Sequence, residues 1–185
     1  MSRTEQPRYT VVERHQAIEL RDYAPMIVAE TELTGSRESA IHSGFRILAD
    51  YIFGNNQAAR TVPMTAPVAP QAGQKIPMTA PVMQQAEQDV WRIRFVMPSG
   101  FTLETLPRPN NPAVSLRELS ARRLAVIRFS GRPLADRLRE QTADLMAFIE
   151  TRSLPFSGEP VYAFYDPPWT LPFLRHNEVM VEMTG

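Results

Sequence analysis

The sequence predicts an α+β fold in which one strand-and-helix unit occurs twice. Three observations lead there. Residues 96 positions apart correspond: Ile18-Glu19-Leu20-Arg21 with Val114-Ser115-Leu116-Arg117, Ala29 with Ala125, Leu33 with Phe129, and Gly35 with Gly131. Both stretches alternate apolar and polar residues, the period of a half-buried strand. Each then runs into its glycine, and beyond it the apolar spacing lengthens to that of a helix.

In the first unit Ser36 is placed to cap a helix, with Glu38 in its first turn, and Ile41, Phe45, Leu48 and Ile52 mark the apolar face until Gly54-Asn55-Asn56 stops it. In the second unit Pro133 lies near the first turn, and Leu134, Leu138, Leu145, Phe148 and Ile149 make the stripe up to about Arg152. A strand ending in proline follows each helix, Val90 to Pro98 and Val161 to Pro168. Matching Phe95 with Phe164, at an offset of 69, gives the first unit 27 residues that the second lacks. Val114 to Leu119 and Glu178 to Met183 read as closing strands. Neither unit buries its inner face alone, so residues 9–185 are expected to form one domain, with repeats of about 9–113 and 114–185. Residues 1–8 read as a disordered N-terminus.

The extra residues carry their own duplication. Thr61 to Gln74 is followed directly by Lys75 to Gln88, with Met-Thr-Ala-Pro-Val in both copies and nine of fourteen positions identical. Pro63, Pro67, Pro77 and Pro81 lack the N–H that a central strand donates, which predicts a sheet edge or an extended loop, with Gly73 turning between the copies. A proline-stiffened loop and a flap over a ligand are both consistent with that.

Composition narrows the function. Twenty basic side chains balance twenty acidic ones, so the basic field that nucleic-acid binding requires is missing. No run approaches the ~18 apolar residues of a transmembrane segment, and no apolar leader is visible, so the chain reads as cytoplasmic. With no cysteine, disulfides, thiolate catalysis and cysteine-ligated metals are excluded. Lys75 is the only lysine beside 19 arginines, spread too evenly to make an electrostatic footprint. Nucleophile-elbow, phosphate-loop, metalloprotease and EF-hand motifs are all missing.

Several residues remain as candidates. His42 lies at the apolar boundary of the first helix beside Ala49 and Phe53, as a boundary residue or an axial iron ligand. His15 falls in a turn, and His176 in a polar turn where solvation is expected. Glu30 with Glu32, and Glu178 with Glu182, share strand faces; exposure opposite arginine is the expected state, and a buried carboxylate with a raised pKa the alternative. Asp166 to Arg175 is a proline-rich loop that nevertheless carries Trp169, Leu171, Phe173 and Leu174, so it either covers the core or presents an apolar wall. Trp169 and Phe173 are suited to stacking on a flat ring, with Arg46 or Arg175 available for a carboxylate.

Tyr51-Ile52-Phe53-Gly54-Asn55-Asn56, the Met64-Thr65-Ala66-Pro67-Val68 segment and its copy, Tyr165-Asp166-Pro167-Pro168 and Arg175-His176-Asn177-Glu178-Val179 together resemble the SOUL heme-binding family over nearly the whole chain. The resemblance implies a distorted antiparallel β-barrel of two pseudo-symmetric halves, each with one helix on the sheet, of the gyrase-inhibitor-like superfamily. It further implies non-covalent binding of heme or another tetrapyrrole, as a carrier or buffer and not an enzyme. The implied groove lies between the first helix, with His42, Phe45, Arg46, Ala49 and Phe53, and the loop, with Trp169, Leu171, Phe173, Leu174 and Arg175. His42 is then the candidate iron ligand. Two alternatives stay open: a barrel that binds or hydrolyses another small apolar molecule, and a protein-interaction module that uses loop 167–174 as its anchor.

Overall fold

The computed structural model describes residues 4–59 and 73–185. Among the described residues eleven strands and two α-helices follow in order. They are β1 (Tyr9–His15), β2 (Ile18–Tyr23), β3 (Met26–Thr34), α1 (Arg37–Ile52), β4 (Asn56–Gln57), β5 (Val82–Glu87) and β6 (Val90–Val96). Then come β7 (Arg108–Pro109), β8 (Ser115–Leu119), β9 (Arg122–Phe129), α2 (Ala135–Thr151), β10 (Phe156–Phe164) and β11 (Asn177–Met183). Nine strands make one antiparallel sheet in the order β1-β2-β9-β11-β10-β5-β6-β3-β8, curled into a half-barrel, and β4 pairs with β7 apart from it. No helix among the described residues is long and apolar enough to cross a membrane.

Helix α1 starts where the sequence places it, whereas α2 begins at Ala135, so that Leu134, expected in the apolar stripe, is instead its exposed N-cap. The Ser36 side chain accepts from the Ser39 N–H at 3.3 Å, and Gly35 and Gly131 take φ values of 107° and 103°, a region closed to most side chains. The buried residues of α1, however, are Ala40, Gly44, Leu48, Ala49, Tyr51 and Ile52, while Phe45 stays 40% exposed. Gly44 permits this phase, since a Cβ there would lie 2.6 Å from Ile93 Cγ1. Small residues let the helix sit low on the sheet.

Pseudo-symmetry relates the two ends of the sheet, β8-β3-β6-β5 and β2-β9-β11-β10. This corrects the match of Phe95 with Phe164. Leu33 faces Trp91, which faces Ala86, just as Phe129 faces Asn177, which faces Phe164. The equivalent of Phe164 is therefore Ala86, at an offset of 78, and the first unit carries 18 extra residues rather than 27. The repeats also exchange strands: β2 of the first pairs with β9 of the second, and β8 of the second pairs with β3 of the first.

Two further expectations change. The second Met-Thr-Ala-Pro-Val copy runs into β5, an interior strand that joins the two ends by pairing with β10 and β6. Pro77 and Pro81 precede that strand, so every residue of β5 keeps its N–H. The first copy falls largely on residues 60–72, outside the described residues. The N-terminal segment is tied down from Glu5: its carbonyl accepts from Ala80 N–H at 2.9 Å, its carboxylate accepts from Ser99 N–H at 2.8 Å, and Arg8 O accepts from Ala24 N–H at 3.0 Å. Strand β1 escaped the periodicity reading because a bulge between Val11 and Glu13 breaks its alternation.

Two apolar clusters lie under the helices, one around Leu48, Ile52, Ile93 and Phe95, the other around Leu138, Leu145, Ile149 and Val179. A third fills the opposite, concave face with Val28, Met83, Val126 and Met180.

Candidate functional site

On the outward side of α1, a shallow hollow of about 710 Å³ is lined by Phe45, Arg46, Ala49, Phe53, Asp50 and Asn111 among others. Phe45 and Phe53 stand 40% and 63% exposed. His42 is exposed on the same helix, outside this lining. The helix phase explains the exposure: with Gly44 and Leu48 at the centre of the buried face, His42 and Phe53 turn away from the sheet.

The second predicted surface is the loop between β10 and β11. Trp169 is 83% exposed, and Leu171, Phe173 and Leu174 are also exposed around a short 3₁₀ turn, Pro172–Leu174. The loop is anchored all the same. Pro172 O accepts from Gly131 N–H at 2.9 Å, Asp166 accepts from His176 N–H at 2.6 Å, and Arg175 donates to Thr170 O at 2.8 Å and to Pro168 O. Arg175 is thus spent holding its own loop. Four apolar side chains are held in water on a fixed frame.

No loop residue lines the hollow on α1, but a cross-strand row connects the two surfaces. The Phe45 ring meets Phe95 edge-on at 5.3 Å. Phe95 pairs with Val82 and Val82 with Phe164, all on the helix-bearing face, and the loop begins two residues later. Beside this row lies Arg37, which sequence reasoning missed. Its guanidinium sits 5.7 Å from the Tyr162 ring and 5.9 Å from the Phe164 ring, and its Nη2 donates to Gln84 at 3.0 Å. Its Nε is buried with no partner among the described residues, and burial pulls its pKa down. Nothing local marks Arg37, because the rings that surround it come from a strand more than a hundred residues later.

The concave face holds a buried ionic cluster, which corrects the readings of Glu178 and His176 as solvated. The Glu178 side chain is fully buried. Its Oε1 accepts from Arg21 at 3.0 Å and His176 Nε2 at 2.7 Å, and its Oε2 accepts from the Tyr165 hydroxyl at 2.7 Å. His176 stacks on Tyr165 at 4.0 Å, while Arg21 also holds Glu19 at 2.7 Å and lies over the Tyr9 ring. Burial pushes the Glu178 pKa up, but the hydrogen bonds from His176 and Arg21 outweigh it and hold the carboxyl below its usual range. Burial and the Glu178 charge together push the Tyr165 hydroxyl up. Glu178 is consequently ionised and saturated with donors, the opposite of the raised-pKa acid that hydrolysis would use. Glu30, likewise buried, is held by Arg94 at 2.9 Å.

A family model described as SOUL heme-binding protein matches residues 4–182. Among solved structures, the EcmrR C-terminal domain is similar at a TM-score of 0.65 and 13% identity, over 95% of this chain and 98% of that one. EcmrR in a DNA complex matches at 0.62 and 14%, over 92% of this chain and 59% of that one. A hydrolase from Listeria innocua matches at 0.57 and 13%, over 94% of both chains. At these identities the likeness is one of fold. No curated protein matches.

Proposed function

This chain belongs to the SOUL heme-binding protein family, and from that premise we propose that it holds heme or a related tetrapyrrole without a covalent bond, as a carrier or buffer. The observation that carries the proposal is the apolar frame on the helix-bearing face: Phe45, Phe95, Val82 and Phe164 in one row, ending at a loop that keeps Trp169 and Phe173 exposed. A planar apolar ring buries area against both surfaces, and aromatic stacking adds to that.

The residues present fit such a ligand. Arg37 offers a partly desolvated guanidinium with an N–H that has no partner among the described residues, and Arg46 an exposed one; both suit the acid side chains of a porphyrin. Ala49 keeps the helix surface low, with Phe53 and Leu171 or Leu174 at the ring edges. His42 is the proposed iron ligand, since His176 is taken up by Glu178 and Tyr165 and His15 packs on Phe148. Heme, when bound, supplies the iron; the chain supplies burial, orientation and acid pairing.

Titration of the purified protein with hemin and with iron-free protoporphyrin tests this. Saturable binding of both, with hemin tighter and its advantage lost in His42→Ala, is the expected result. Equal affinity for the two removes His42 as ligand, and no saturable binding of either removes the tetrapyrrole reading.

A further inference from the structure

The concave face carries a second, separate pocket. It measures about 260 Å³, and β5, β6, β8, β9, β10 and β11 all contribute to it, so both repeats build it. Met83, Leu119, Leu124 and Met180 make an apolar floor, and Arg92, Arg94, Arg117 and Arg122 stand around them. Four guanidiniums converging on an apolar floor are unusual in a chain whose net charge is zero.

Their pairing is uneven. Arg92 has Glu32 and Glu87, each at 2.6 Å, and Arg94 has Glu30 at 2.9 Å. Arg117 must share Glu30, at 3.5 Å. Arg122 reaches Glu182 only at 3.8 Å, and its Nε is buried with no partner among the described residues. A buried donor left without an acceptor is costly, and an arriving anion would relieve that cost. Burial also pulls the Arg122 pKa down, the Glu182 charge opposing the shift and the neighbouring Arg94 charge adding to it. Glu159 and Glu182, the acidic residues of the lining, are both exposed to water, where screening weakens their hold on the pocket interior.

We propose that this pocket binds a small amphiphile with one anionic headgroup, of the medium-chain carboxylate type, its head between Arg117 and Arg122 and its chain on Met83, Leu119, Leu124 and Met180. The site faces away from both helices and is independent of the tetrapyrrole surface. Guanidinium suits a carboxylate or a phosphate head, and it rejects a cation of the same shape.

Calorimetric titration with octanoate, octyl phosphate, octanol and octylamine decides the matter. One of the two anions is expected to saturate at one site per chain, with octanol and octylamine at least about tenfold weaker, as loss of a charge-assisted pair implies. The relative affinity of octanoate and octyl phosphate identifies the headgroup. Arg122→Gln is expected to weaken the anion about tenfold, and Arg117→Gln, at a half-exposed position where folding is safe, severalfold. Trp169→Ala should leave anion binding unchanged. The proposal is overturned if neither anion saturates, if octanol binds as tightly as the anions, if Arg117→Gln leaves the affinity unaltered, or if Trp169→Ala abolishes binding.

Discussion

Replacing Glu178 by glutamine is expected to destabilise the protein by about 3–5 kcal/mol, the range found when one partner of a buried ion pair is removed. The carboxylate accepts from three donors, Arg21, His176 and Tyr165, at 3.0, 2.7 and 2.7 Å. Glutamine keeps a single acceptor oxygen and turns an NH₂ group toward donors, while Arg21 retains only Glu19 as a counter-charge. The loss should fall toward the lower end of the range because of that remaining pair. For a chain of this size it corresponds to a fall in Tm of roughly 6–20 °C. Thermal unfolding followed by circular dichroism, with denaturant titration alongside, measures it.

The pH dependence sharpens this prediction. Glu178 is held below its ordinary value of 4.5 in the folded protein, so its stabilisation is fully present above about pH 4.5 and is lost as pH falls through the lower folded value. The stability gap between wild type and Glu178→Gln should therefore hold steady from pH 7 to about 5.5 and narrow below 4.5. A gap under about 1 kcal/mol at pH 7, or one that fails to narrow on acidification, would refute the account of the cluster.

Arg37→Met should weaken protoporphyrin about tenfold while leaving octaethylporphyrin, which has no acid groups, unaffected; equal losses for both would assign Arg37 a packing role only. Trp169→Ala should lower porphyrin affinity yet shift unfolding by no more than about 0.5 kcal/mol, because the side chain is 83% exposed. Gly44→Val should destabilise by about 1–3 kcal/mol or more, since its Cβ would lie 2.6 Å from Ile93 Cγ1 beneath α1. A melting curve that matches wild type would mean that α1 can lift from the sheet without cost.

Much of the fold was legible in the sequence because it is written locally. The two helices, their starts after Gly35 and Gly131, and the strands leading into them depend on apolar period, a cap and a positive φ, all carried by neighbouring residues. The same locality made the exposed loop readable, since three prolines among Trp169, Leu171 and Phe173 conflict with an ordinary surface turn. Local pattern failed at Phe45, where the choice of buried face turned on a glycine packed against a distant isoleucine. It also failed at β5, where prolines outside the strand masked an interior strand within it.

By itself, then, the sequence determined a duplicated α+β chain, its family likeness and the apolar character of its two outer surfaces. Which strands pair was decided only by the tertiary structure, because alternation tells a strand which face is apolar and not which neighbour it meets. From that pairing came the exchange of β2 and β8 between repeats, and with it the meeting of Arg21 and Glu178, 157 residues apart. It likewise placed Arg37 between Tyr162 and Phe164 and gathered four arginines on the concave floor. A charged residue reads as solvated until its partner is known, and the partners that decide here, Arg21 for Glu178 and Arg94 for Glu30, arrive from other strands of the sheet.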